Sequence, residues 1–186
     1  MPPELDVHGP RWARVTTHAS AVAGLLSLVA AFWWGATIVA LFALVLLGLT
    51  VARVGSLPGV LQAVTGPTIL FAAWAATLGW YAALPLLDLP THAVATGLLS
   101  VIILGFLRRL GVLPTTPSRS GTVLMTLALG ALLGVLWELG EWAGHTWLDD
   151  AINVGYDDTM GDLLAGTLGS ACAGVALSGV GRHEHD

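Results

Sequence analysis

The 186-residue chain contains no lysine; its seven basic residues are all arginine. Charged residues make up 10% of it, where a soluble globular domain carries about 25%. That scarcity excludes an ordinary water-facing surface. The arginines are dispersed, so no basic patch points to nucleic acid. One cysteine, Cys172, excludes an intramolecular disulfide. No small-residue cleavage site follows the first apolar run, which therefore reads as a retained span rather than a removed signal peptide. There is no internal repeat of the kind many transporters are built from.

What is present is apolar: 55% of residues are hydrophobic and the mean hydropathy is +0.80. Long apolar runs with little charge place the chain among membrane proteins. The sequence predicts an all-α polytopic bundle, a single integral membrane domain over residues 1–186. Six spans are expected at about 15–34, 36–53, 66–86, 89–107, 121–143 and 161–180, since one crossing needs about 20 residues. The apolar stretch 15–53 is about twice that length, so it must turn, and Gly35 after Trp33 and Trp34 is the expected place. Pro67, Pro85 and Pro90 are expected to mark the start of span three and the turn into span four. The segment 114–121 is the clearest loop.

With six spans, Arg11, Arg14, Arg53, Arg108, Arg109, Arg119 and Arg182 all fall on one side. Basic residues in short loops mark the cytoplasm, so both termini are expected there. Eight of the twelve carboxylates take the other side: Asp88, Glu138, Glu141, Asp149, Asp150, Asp157, Asp158 and Asp162. Trp33, Trp34, Trp80, Tyr81, Trp142 and Trp147 suit an outer aromatic belt.

Three spaced patterns meet at that outer boundary. Asp88 and His92 stand four apart at the start of span four, and Asp158 and Asp162 four apart at the start of span six. On span five, Glu138, Glu141 and His145 fall within a roughly 60° arc. Gly130 and Gly134 share the row of Glu138, and Gly166, Ser170 and Gly174 continue the row of Asp162 inward. Small residues on such rows let membrane helices approach closely. Spans four, five and six are thus expected to bring all seven side chains toward one point. A carboxylate inside a span costs about 2.5–3.5 kcal/mol on insertion scales, and no arginine or lysine lies on this side to offset it. Glu138 and Glu141 together need a cation, bound protons or water. A hydrated polar packing site is the bland alternative, and Asp149, Asp150 and Asp157 are best read as solvated loop acids.

Glutamates and a histidine projecting from one bundle helix are similar in kind to carboxylate-bridged metal sites. Mixed carboxylate and imidazole donors suit Zn, Mn or Fe, and oxygen donors alone suit Mg or Ca. The terminal His183-Glu-His-Asp186 segment reads as a solvated tail.

The segments around Asp88-Leu-Pro-Thr-His92, Trp137-Glu138-Leu-Gly-Glu141-Trp142 and Asp157-Asp158-Thr-Met-Gly-Asp162 resemble the YjdF-like family of bacterial inner-membrane proteins, itself distantly similar to VanZ-like membrane proteins. The resemblance covers roughly residues 85–175. Leu87 stands where the family pattern has tyrosine, and Gly166-Thr-Leu-Gly169 where VanZ-like proteins have Asn-Thr-Leu-Gly. It implies the bacterial inner membrane, the topology and the site positions, and no biochemical activity. Three classes of function stay open: an envelope protein with a structural cation site, a metal-dependent enzyme acting on a lipid or envelope precursor at the outer leaflet, and a proton- or metal-coupled transporter. Beyond the lipid bilayer, the expected partner is a lipid or small envelope molecule.

Overall fold

The structure, a computed structural model, describes residues 6–115 and 118–180. Glu4, Arg182 and the terminal histidines His183 and His185 lie outside them. Among the described residues there are only helices: α1 (Arg11–Ala31), α2 (Ala36–Val54), α3 (Gly59–Thr77), the short α4 (Trp80–Ala83), α5 (Asp88–Arg109), α6 (Arg119–Trp147) and α7 (Tyr156–Val180). All but α4 are long and apolar enough to cross a membrane. The shortest have 19 residues and, at a rise of about 1.5 Å per residue, match a hydrocarbon core of about 30 Å.

The long apolar stretch turns at Gly35, whose φ of 101° and ψ of 175° suit only glycine. Successive long helices therefore alternate in direction. Arg11, Arg14, Arg53, Arg108, Arg109 and Arg119 share one end of the bundle, the basic end. The eight carboxylates of the sequence pattern lie toward the other, the acidic end. At the basic end Ser118 caps α6 by accepting from the Gly121 amide at 3.1 Å.

Span three differs from expectation: it runs Gly59–Thr77, not about 66–86. Pro67 lies inside the helix, which membrane helices tolerate where neighbours cover the freed backbone groups. Its first turns carry Gln62 and Thr65, polar residues that hydropathy assigns to an interface. Both are buried, and the Gln62 amide donates to the Leu57 carbonyl at 2.7 Å. The helix ends before Gly79, which is left-handed at φ 69°; α4 and a 3-10 turn at Pro85–Leu87 then lead into α5.

The bundle has two halves with different packing. In the first, α1, α2 and α3 enclose an apolar core of Ala31, Phe42, Val45, Ile69, Leu70 and Ala73. Trp74 packs on Phe42 with ring centroids 5.1 Å apart, and its indole N–H donates to Ser27 Oγ at 3.0 Å. In the second, α5 and α7 both start at the acidic end, run parallel and meet backbone to backbone. A methyl group on Gly97 would stand 2.8 Å from the Gly169 carbonyl oxygen, and one on Gly169 would strike the Ala93 carbonyl. Gly130 of α6 is closed off by Ser170, and Gly174 of α7 by Thr126. Gly134, on the same α6 row, faces only the tip of Leu163, so the closest approach lies one turn further from the acidic end than the sequence row alone implies.

Candidate metal centre

The α5–α7 contact sets the site. With Ala93 and Gly97 fixed against Gly169, the preceding turn of α5 and the first turns of α7 are held side by side. Pro90 falls in the first turn of α5, where its missing N–H costs nothing, so Asp88 and His92 keep helical spacing. His92 Nε2 lies 3.4 Å from Asp88 Oδ1 and 3.4 Å from Asp162 Oδ2. Asp162 is 5% exposed, while Asp88 and His92 are 21% and 17% exposed. α6 arrives antiparallel and adds Glu138 and Glu141, both half-buried.

Five of the seven candidate side chains thus converge, in two sets. Asp88, His92 and Asp162 offer ligand atoms within 4.8 Å of one another, and so do Glu138, Glu141 and Asp162. The other two have partners of their own, although the Asp158 charge still acts on Asp88, His92, Glu141 and Asp162. His145 Nδ1 lies 2.8 Å from the Ile152 carbonyl oxygen, tying the 148–155 loop to α6. Asp158 Oδ2 accepts from the Asn153 amide at 2.8 Å. Asp149, Asp150 and Asp157 are exposed, as loop acids should be.

The pair at 3.4 Å is too long for a charge-assisted hydrogen bond, which runs about 2.7–2.9 Å. It matches ligands sharing one ion: metal bonds of about 2.0–2.2 Å at tetrahedral angles set their ligands about 3.4 Å apart. Asp88 Oδ1 and Glu138 Oε1 are buried with no hydrogen-bond partner. Buried acceptors of this kind cost about 1–3 kcal/mol each, more when charged. A protonated His92 offsets at most one of the four negative charges that Asp88, Glu138, Glu141 and Asp162 bring. The donor set therefore fits a divalent cation.

Two further groups border the cluster. Trp137 Nε1 is a buried donor with no partner, and its ring stands edge-on to His92 with centroids 6.2 Å apart. The Tyr81 hydroxyl donates to the Ala72 carbonyl at 3.2 Å. Burial first, and then the charges of Asp88, Asp162 and Glu141, push its pKa up to about 12, so it stays a hydrogen-bond donor at neutral pH. In the sequence Tyr81 reads as an aromatic-belt residue; only the reversal at Gly79 turns it toward the site.

The chain belongs to the family described as predicted membrane protein (DUF2238), whose family model matches residues 11–183. No curated protein matches it, and no solved structure does.

Proposed function

We propose that this member of the DUF2238 family of predicted membrane proteins binds divalent metal at the outer face of the bacterial cytoplasmic membrane, through Asp88, His92, Glu138, Glu141 and Asp162, with both termini in the cytoplasm. The carrying observation is the pair of buried carboxylate oxygens without a hydrogen-bond partner, Asp88 Oδ1 and Glu138 Oε1, in a cluster at the end of the bundle opposite every described arginine. Imidazole among the carboxylates favours Mn, Fe or Zn over Ca. The YjdF-like resemblance of the three motifs supports the same membrane and the same site positions.

The test is metal analysis of protein purified in detergent, with His183 and His185 changed to alanine so that the tail contributes nothing. Metal should copurify near stoichiometrically, chelation should lower the melting temperature, and Asp162→Asn should reduce bound metal at least tenfold while sparing expression. Binding should weaken as pH falls, because protons compete for the same ligand atoms. Protein free of metal, and unmoved by Zn2+ or Mn2+ in thermal melts, would refute the reading.

The orientation has its own check. The six arginines of the basic end motivate a cytoplasmic 108–120 loop. With cysteines at Ser118 and Asn153 in a Cys172→Ala background, an impermeant thiol reagent on intact cells should label position 153 and spare 118. The reverse pattern would invert the topology.

An enzyme reading is favoured by one observation. Each set supplies three protein ligands, and closed structural sites have four whereas catalytic ones keep a position open. Trp137 Nε1 then stands as a neutral donor for a bound oxyanion. A metal-dependent step on a lipid or envelope precursor at the outer leaflet is the activity to assay.

A further inference from the structure

We infer that the cluster holds two divalent ions rather than one, bridged by the carboxylate of Asp162. The inference rests on the metal-binding reading above and specifies its stoichiometry and geometry.

Three observations point to a pair. The ligand atoms fall into two sets, not one shell, and Asp162 alone belongs to both. Its carboxylate has two oxygens, one for each ion, and it is the most buried member, at 5% exposure. Each set also contains its own buried oxygen without a partner, Asp88 Oδ1 in the first and Glu138 Oε1 in the second. A single ion seated among Asp88, His92 and Asp162 would leave Glu138 as it is.

Charge gives an independent argument. The four carboxylates of the two sets carry four negative charges when ionised, and Asp158 adds a fifth within electrostatic reach. One divalent ion would leave three of them uncompensated, whereas two leave one, shared with the Asn153 amide. Paired ions about 3.5–4 Å apart also clamp both oxygens of a displacement at phosphorus or carbon. The arrangement suits a ligand bearing a phosphate or carboxylate group.

The experiment is a titration of the full chain, tail histidines replaced as before, with Mn2+ and Zn2+ in parallel, followed by electron paramagnetic resonance of the Mn2+ form. Two equivalents should bind, and the Mn2+ spectrum should show an exchange-coupled pair with halved hyperfine splitting. His92→Gln and Glu141→Gln, which touch one set each, should each reduce tight binding to one equivalent and restore the spectrum of an isolated ion. One equivalent in the unsubstituted protein, or two with uncoupled spectra, would overturn the bridged pair and leave the metal-binding reading standing. No binding of either ion would overturn both.

Discussion

Asp162→Asn is expected to abolish metal binding more completely than any other single neutralisation in the protein. The substitution keeps the shape of the side chain and removes one charge. It acts on the residue that both ligand sets share and that is almost wholly enclosed. Loss of an outer partner of a metal ligand costs roughly 10–100-fold in affinity; loss of the common ligand should exceed that. Glu138→Gln and Glu141→Gln each disturb one set and should retain part of the bound metal. Calorimetric titration with Zn2+ orders the three variants directly, and thermal melts in the presence of a chelator establish that each is folded. An affinity for Asp162→Asn equal to that of the unsubstituted protein would remove Asp162 from the site.

Gly169→Ala is expected to be the most damaging methyl group that can be added to the second half of the bundle. The new Cβ would land on the Ala93 carbonyl, which belongs to helix backbone and has no rotamer to give way. Overpacking a well-packed core costs about 1–3 kcal/mol, occasionally more, and relief here requires α5 to move away from α7. That movement pulls His92 from Asp162, so stability and metal affinity should fall together. Gly140→Ala is the control. No neighbouring atom lies within 4 Å of its added methyl, and alanine is the better helix former by roughly 1 kcal/mol. Equal melting temperatures for the two variants in detergent would show that the close contact does not form.

Six crossings and the turn near Gly35 are legible in the sequence because both follow from length. A 39-residue apolar run cannot be a single crossing, and glycine is the residue that permits the positive φ found there. The offset of span three was not legible. Hydropathy scores Gln62 and Thr65 as polar whatever surrounds them, whereas the bundle buries both, and Pro67 breaks helices in water more readily than in lipid. In the site, helical spacing was enough to put Asp88 with His92 and Glu138 with Glu141. The same spacing included His145, which the 148–155 loop draws aside through the Ile152 carbonyl; the path of a loop leaves no periodic trace. Tyr81 and Trp137 went unrecognised for a related reason. Periodicity says which face a residue takes, but not where an indole or phenol proton finds itself once α4 has reversed the chain.

The parallel contact of α5 and α7 has a consequence for exchange. Directly beyond His92 and Asp162 the two backbones touch at Gly97 and Gly169, leaving no lumen between them. Residues 93–107, 120–137 and 163–180 contain no aspartate, glutamate, histidine, lysine or arginine to relay a charge further. If the cluster binds metal as proposed, an ion entering from the acidic end leaves by that end, so its occupancy follows the ion activity of one compartment and is insulated from the other.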